Sequence, residues 1–145
     1  MKNPEWPLFV FPDDTSIEIC ESLEDARRDY EGIDVESGVF SFFDFSGYPL
    51  KPVFTIPNRH SKFLGLIRSC SSGVFEFARE SSLLNDIDLA LSNSEHLANT
   101  ERFRTLDDVC DHLAERGHSM KLFRAKRQIK QEAEQPAHGD AEESE

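Results

Sequence analysis

The sequence predicts an α+β fold, in which a small antiparallel sheet built from hairpins packs on one or two helices. Three observations lead to this class. Short apolar or alternating runs come in neighbouring pairs joined by turn-forming residues, as in hairpins. Two other segments repeat apolar residues at helical spacing behind a capping residue. The length of 145 residues, with twelve phenylalanines, suits one core, so we expect a single domain over 1–117 and a charged tail over 118–145.

The first hairpin and the first helix follow from local signals. Leu8–Phe11 is apolar, Ile17–Cys20 alternates apolar and polar residues, and the linking PDDTS is rich in turn formers. Ser22 can cap the helix that follows, because its hydroxyl can accept a hydrogen bond from a backbone N–H of the first turn. We expect this helix over 23–31, with Gly32 placed to end it.

A second hairpin holds most of the aromatic residues of the first half. Val39–Phe45 is almost continuously apolar, which indicates a strand covered on both faces, or by a helix on one face and a partner on the other. A Ser-Gly turn leads into a second strand over Tyr48–Ile56. Pro49 and Pro52 cannot donate to a ladder, so this strand is expected to lie at a sheet edge or to contain a bulge.

The middle of the chain gives weaker signals. Pro57–His60 reads as a loop. Phe63–Arg68 and Val74–Arg79 have the length and composition of strands, although the second could instead begin a helix. Residues 81–100 repeat leucine and isoleucine at near-helical spacing, but asparagine and serine weaken a helix there.

The C-terminal third contains the clearest helix start. Thr105 can cap a helix and Asp108 can reach back to it, and Gly117 is placed to end that helix. Met120–Glu134 can form a further amphipathic helix with few apolar residues. From Gln135 the composition is that of a disordered end.

The net charge of −12 disfavours several classes of partner. Residues 1–120 hold eleven basic and twenty-two acidic residues, and the tail from Lys121 holds five basic and six acidic ones. The acidic excess therefore belongs to the folded part of the chain. Such a surface repels nucleic-acid backbones and anionic lipids and attracts basic proteins, although acidity can also serve solubility alone.

Cysteine usage and the N-terminus predict a protein of the cytosol. Cys20, Cys70 and Cys110 are an odd, widely spaced set without a CxxC pair, which favours a reducing compartment and buried thiols. The N-terminal MKNPEWPLF is not a secretory signal, and no apolar run approaches the roughly 20 residues that cross a bilayer.

Catalytic and cofactor motifs are not evident. The sequence has no phosphate-binding loop and no GxSxG elbow, and its histidines are spread too widely for a zinc site. We expect no metal and no cofactor. Chance groupings that could still form a site are Asp13-Asp14, which reads as a solvated turn, Asp86 with Asp88, His112 with His118, and a Cys110–His60 pair.

Three stretches resemble a group of small bacterial proteins that are met beside secreted or contact-delivered toxins and look like immunity proteins. The stretches are LFVFPDD, SLEDARRDYEGIDVESGVFSFFDFSGYPL and TLDDVCDHLAERG, and Glu31, Asp34, Asp44 and Gly47 match the pattern of the group. The resemblance implies a cytoplasmic protein that binds and neutralises a cognate toxin, for example a basic nuclease, by occluding its active site. It supplies no catalytic residue.

An interface follows from combining the charge with the aromatic hairpin. Acids raise association rates with a basic partner, and exposed aromatics slow dissociation. The predicted steering residues are Asp34, Glu36 and Asp44, and the predicted anchors are Phe40, Phe42 and Tyr48. The alternative for each phenylalanine is that it fills the core.

Two further functions stay open from the sequence. One is a small regulatory or interaction module that binds its partner through the predicted helix over 120–134. The other is an enzyme whose active-site residues are dispersed along the chain and therefore leave no motif.

Overall fold

Eight strands and five helices make up the part of the chain that the structure, a computed structural model, describes: residues 3–63, 66–80 and 86–135. In chain order the elements are β1 (Leu8–Pro12), β2 (Ser16–Cys20), α1 (Leu23–Asp29), α2 (Gly32–Ser37), β3 (Phe40–Phe43), β4 (Pro49–Ile56), β5 (Arg59–Phe63), β6 (Leu66–Ser71), β7 (Val74–Arg79), α3 (Asp86–Ser92), β8 (His96–Leu97), α4 (Leu106–Glu115) and α5 (Lys121–Glu134).

Six of the strands form one sheet in the order β7-β4-β3-β1-β2-β8, and β5 with β6 forms a separate two-stranded sheet. Short connections force antiparallel pairing, as between β1 and β2 or between β3 and β4. The two-residue β8 instead runs parallel to β2. The α+β class is therefore confirmed, but the sheet is mixed rather than purely antiparallel.

Both faces of the six-stranded sheet are covered by helices. Phe9 and Phe43 pack on one face with α3, α4 and α5, whereas Leu8, Val10 and Phe42 pack on the other face with α1 and α2. Neighbouring residues of a strand point to opposite faces, so a strand buried on both sides must be apolar throughout. This explains the continuous aromatic run in β3, and it corrects the expectation of only one or two helices.

Local capping places the helices that the sequence predicts. The Ser22 hydroxyl accepts a hydrogen bond from the Asp25 N–H at 3.0 Å and begins α1. Thr105 and Asp108 form a reciprocal capping box at the start of α4. The six-residue α2 is not predicted, because Gly32 reads as a terminator although it is the first residue of this helix.

Helix α5 belongs to the core and not to a separate tail. Met120 and Phe123 are buried in the same cluster as α3 and α4. The buried Asp88 carboxylate accepts hydrogen bonds from the backbone N–H groups of Leu122 at 3.0 Å and Phe123 at 2.9 Å, and so caps α5 from α3. The predicted boundary at residue 117 therefore does not divide the core. The disordered end predicted beyond Gln135 lies outside the described residues.

Three predictions for the middle of the chain need correction. The predicted strand Phe63–Arg68 does not coincide with one strand, because β5 ends at Phe63 and β6 begins at Leu66. The predicted loop Pro57–His60 overlaps β5, which begins at Arg59 and pairs with β6. The helix predicted over 81–100 is limited to Asp86–Ser92 and is followed by β8, and residues 81–85 lie outside the described part. The predicted strand Val74–Arg79 is confirmed as β7.

Candidate functional site

Two surface grooves meet at Phe40, at the start of β3. The Phe40 side chain is half-buried, and its ring packs edge-on against Tyr30 with 4.8 Å between the ring centroids. Phe40 lines both grooves, so it forms the ridge between them. A half-exposed aromatic ring held by a buried neighbour is a typical anchor for a protein partner, because little conformational entropy remains to be lost on binding.

The first groove, which we call the acidic groove, has a volume of about 570 Å³ and lies beside the β1–β2 turn. Four carboxylates and no basic side chain line it, together with Tyr30, Val39 and Phe40. The carboxylates are Asp13, Asp14, Glu18 and Asp29. This mixture of apolar and acidic lining residues suits a basic side chain with a long aliphatic stem, such as arginine or lysine.

Local contacts hold most of these carboxylates in place. Asp14 Oδ1 accepts hydrogen bonds from the Ser16 N–H at 2.8 Å and the Ser16 hydroxyl at 2.5 Å, and these bonds lower the pKa of Asp14. Asp29 pairs with Arg28 at 2.9 Å. Glu18 accepts a hydrogen bond of 2.6 Å from the Tyr30 hydroxyl. Burial, together with Glu18, raises the pKa of Tyr30 far above its ordinary value, so this hydroxyl stays a donor at neutral pH.

The second groove, which we call the β3–β4 cleft, has a volume of about 610 Å³. Glu36 and Glu80 are its two acids, Lys51 is its one basic residue, and Ser41 and Leu89 lie along its walls. The cleft is bounded by α2 on one face of the sheet and by α3 on the other. It therefore opens at a gap within the sheet itself.

Pro52 explains this gap. The β3–β4 ladder contains only the pairs Phe43↔Pro49 and Phe42↔Leu50. Hydrogen-bonded pairs alternate along an antiparallel ladder, so the next one would join Phe40 to Pro52, which has no N–H to donate. The expected edge position is wrong, because β4 lies between β7 and β3 in the sheet, although its residues beyond Leu50 have no pair in β3 among the described residues. The expected bulge is present as a register shift between Phe54 and Ile56.

The other end of β3 is closed by Asp44. This carboxylate is 0% exposed and accepts hydrogen bonds from the N–H groups of Glu5, Ser46 and Tyr48 at 3.0 to 3.1 Å. It also pairs with Arg79 Nε at 2.6 Å. A buried and fully paired carboxylate cannot steer an incoming protein, so the prediction that Asp44 belongs to the interface is wrong.

The remaining predicted contact residues do not form one surface. Glu36 is exposed and Phe40 half-exposed, and both line the β3–β4 cleft. Asp34 is half-buried on α2. Tyr48 is 44% exposed, but it lies at the closed end of β3 under the Arg79 guanidinium, 4.4 Å from the ring centroid.

Phe42 is the second predicted contact residue that the structure corrects. It is 3% exposed and packs against Phe77 and Tyr30 in the core. Side chains alternate along a strand, so Phe40 and Phe42 lie on the same face of the sheet, under α1 and α2. Only Phe40, at the start of the strand, lies at the margin of that face and is partly exposed.

Serine, histidine and acidic side chains, which are catalytic residue types, also lie together at the closed end. The Ser46 hydroxyl donates to Glu5, and Arg116 pairs with Glu5 at 2.9 Å. His118 Nε2 lies 2.6 Å from the Ser46 carbonyl oxygen, and not against the hydroxyl. His112 Nε2 likewise contacts the Phe45 carbonyl oxygen at 2.8 Å. The histidines therefore fix the backbone of the turn and do not form a serine–histidine pair.

The other residues that the sequence offers as candidates for a catalytic or metal site have structural roles where the structure describes them. Asp14 organises a turn and Asp88 caps α5. Cys110 is buried, and burial raises the pKa of its thiol. The side chains of His60 and Cys70 lie outside the described part. Within the described ranges, no three histidine, cysteine or acidic side chains are grouped to hold a metal ion.

Several residues of the two grooves were not predicted from the sequence. Glu18 lies on β2, Asp29 ends α1 and Glu80 follows β7, and only the fold brings them to the neighbourhood of Phe40. Pro52 carried the one usable signal, because a proline within a strand predicts an interrupted ladder.

No protein-family model, no curated protein and no solved structure matches this chain. None of the helices in the described residues is long and apolar enough to span a bilayer. The two grooves and the charge of the chain are the features that bear on its function.

Proposed function

We propose that this protein is a non-catalytic binding protein that holds a basic protein partner on the surface around Phe40. The supporting observation is the half-exposed Phe40 ring between two grooves that together carry six carboxylates and one lysine. Aromatic anchors supply most of the affinity of an interface, and surrounding charges set the rate of encounter and the choice of partner.

The charge of the chain and of the two grooves predicts how the partner associates. The chain carries a net charge of −12, and the two grooves repeat that excess locally. At about 0.15 M salt the Debye length is about 8 Å, so groove carboxylates act on an approaching cation at the scale of the grooves themselves. Association with a basic protein should therefore be fast and should slow as salt is added.

The resemblance to immunity-type proteins supports a more specific form of the proposal. The partner would be a cognate bacterial toxin with a basic active-site surface, for example a nuclease. The acidic surface around Phe40 would occupy the site that the toxin uses for its anionic substrate. Inhibition would then be by occlusion and would need no catalytic residue of this protein.

Co-expression with the product of the neighbouring gene tests the proposal. We expect a one-to-one complex with nanomolar or tighter affinity, on the scale of strong specific complexes, and rescue of growth if the partner is toxic. The charge reversals Asp13→Lys and Glu36→Lys should slow association by about tenfold, because each changes the local charge by two. Surface plasmon resonance at two salt concentrations measures the rates.

A matched control uses Glu115→Lys, which makes the same charge change at an exposed position on α4 outside both grooves. This variant should keep the association rate within about twofold, because distant exposed charges are screened. If the reversal at Glu115 slows association as much as those at Asp13 and Glu36, only net charge matters and the surface around Phe40 is not the interface.

Helix α5 favours a second candidate, the interaction module. Its residues beyond Phe123 are exposed except for the half-buried Arg127, and Ile129 is 67% exposed. The helix carries five basic and two acidic side chains, so it would suit an acidic partner. Ile129→Glu should abolish such binding without loss of stability, whereas binding through the surface around Phe40 should survive this change.

A further inference from the structure

We propose that the open edge of β4, beside the β3–β4 cleft, receives an extended segment of the basic partner by strand addition. This inference rests on the proposed function, and it names the part of the surface that forms hydrogen bonds with the partner's backbone. The segment would alternate arginine or lysine with aliphatic residues.

The backbone of β4 provides the first support. The Glu80 N–H donates to the Pro49 carbonyl oxygen at 2.9 Å. The backbone N–H and C=O groups of the odd-numbered residues at the start of β4 therefore point toward β7. Leu50 pairs with β3, and Pro52 and Phe54 follow it on that same side. Among the described residues no strand pairs with this side of β4 beyond Leu50. The Phe54 N–H and the carbonyl oxygens of Pro52 and Phe54 are the peptide groups that this edge offers to an added strand, because Pro52 itself has no N–H.

A contrast with the outer edge of the sheet gives the second support. At β7, the Arg27 side chain donates to the Phe75 carbonyl oxygen at 2.9 Å and so covers part of that edge. No side-chain hydrogen bond between described residues reaches the open side of Pro52 or Phe54. The exposed side chains of Val53 and Ile56 add apolar surface to this strand. Cross-strand pairing of such β-branched residues stabilises added strands.

The cleft at the end of this edge defines the chemistry of the occupant. Its volume of about 610 Å³ lies in the range of about 300–1,000 Å³ that is typical of ligand pockets. Exposed Leu89 and half-buried Pro52 offer apolar contact, and Glu36 and Glu80 offer two carboxylates against the one Lys51. A basic side chain with an aliphatic stem satisfies both kinds of wall. The partner segment is therefore basic and extended.

A labelled hexapeptide of sequence RVRVRV is a direct probe, with EVEVEV as its charge-reversed control. Fluorescence anisotropy should show saturable binding of RVRVRV to the full chain and at least about tenfold weaker binding of EVEVEV. Amide NMR shifts on binding should concentrate at Phe40, Ser41 and Phe54. Absent binding, equal binding of the two peptides, or shifts confined to other surfaces would overturn the inference.

Two variants test the cleft without removing any acid. Pro52→Val restores the missing N–H, so the ladder to Phe40 can extend and the gap can close. Ser41→Trp fills the cleft from an exposed position, and Ser119→Trp is the matched control at an exposed site outside it. The first two should weaken RVRVRV binding at least about tenfold, the control less than about twofold. Circular dichroism melts check that each variant is folded, and unchanged binding by both folded cleft variants contradicts strand addition.

The two proposals fail in different ways. If RVRVRV binds at the cleft but the neighbouring gene product does not co-purify, the proposed function fails and the strand-addition site stands. If that product co-purifies equally with the wild type and with folded Ser41→Trp, the function stands and the strand-addition site is wrong.

Discussion

The closed and open ends of β3 use the same residue types for opposite purposes. At the closed end, Asp44 is buried, accepts three backbone N–H groups and pairs with Arg79. At the open end, Phe40 is half-exposed beside a gap that Pro52 creates, and the nearby Glu36 is exposed. Only three strand residues lie between Phe40 and Asp44. An acid beside an aromatic residue therefore indicates neither stability nor binding until its hydrogen-bond partners are known.

Removing the carboxylate at the closed end should have the largest effect. Asp44→Ala leaves Arg79 and three backbone donors without their acceptor, so we expect a loss of about 3–5 kcal/mol in the free energy of unfolding. Urea denaturation followed by circular dichroism measures this loss. Asp44→Asn should lose less, because its amide oxygen can still accept from Ser46 and Tyr48. A loss below about 1 kcal/mol for Asp44→Ala would show that the closed end does not stabilise the fold.

Alanine substitutions of Phe42 and Phe40, which lie on one face of β3, should affect stability and partner binding differently. Phe42→Ala opens a cavity in the core and should cost about 3–5 kcal/mol. Phe40→Ala should cost about 1–2 kcal/mol, because its side chain is only partly removed from water. Partner affinity should show the reverse order when both variants are measured well below their melting temperatures. Equal costs in stability would mean that Phe40 is a core residue like Phe42.

The sequence identified local structure well because the signals for it are local. The Ser22 cap, the Thr105–Asp108 capping box and the first hairpin depend on residues within a few positions of one another. The burial of Asp44 depends on Arg79, which is 35 residues away. No local sequence pattern near Asp44 predicts that partner.

The same distinction explains the other differences between prediction and structure. In the sequence, Met120 and Phe123 look like sparse apolar residues of a tail. In the structure, the Asp88 carboxylate caps the start of α5 by accepting from two backbone N–H groups that lie 34 and 35 residues further along the chain. Helix α2 is short and begins with glycine, so neither periodicity nor propensity reveals it. At the candidate site, Glu36 and Phe40, which the sequence predicts as contact residues, line one cleft. The sequence could not group the acids from distant parts of the chain around them.

The turn that closes β3 should resist a side chain at Gly47. This residue has a φ of 88°, and a Cβ atom there would contact the His118 ring. Gly47→Ala should cost about 1–2 kcal/mol for the left-handed backbone alone, with a further steric cost. A double-mutant cycle with His118→Ala separates the two, because removing the ring relieves only the steric part. A coupling energy near zero would show that His118 moves aside freely.

The smallest effect expected at the closed end is a dependence on pH through Glu5. Its hydrogen bond from Ser46, together with Arg116, holds the pKa of Glu5 below the ordinary value of 4.5. A lowered folded-state pKa means that the stabilisation is fully present above the unfolded-state pKa and is lost as the pH falls through the folded-state value. Glu5→Gln should therefore reduce stability by about 0–1 kcal/mol at neutral pH, the range of exposed ion pairs, and the difference from wild type should shrink below about pH 4.

Urea unfolding of wild type and Glu5→Gln between pH 3 and 7 measures that difference. Glu36→Gln at the open end is the control, since Glu36 has no hydrogen-bond or ion-pair partner among the described residues, and it should leave the free energy of unfolding unchanged at neutral pH. If Glu36→Gln destabilised the protein as much as Glu5→Gln does, the acids at both ends of β3 would serve the fold. The exposed Glu36 would then no longer distinguish the open end of β3 from the closed end.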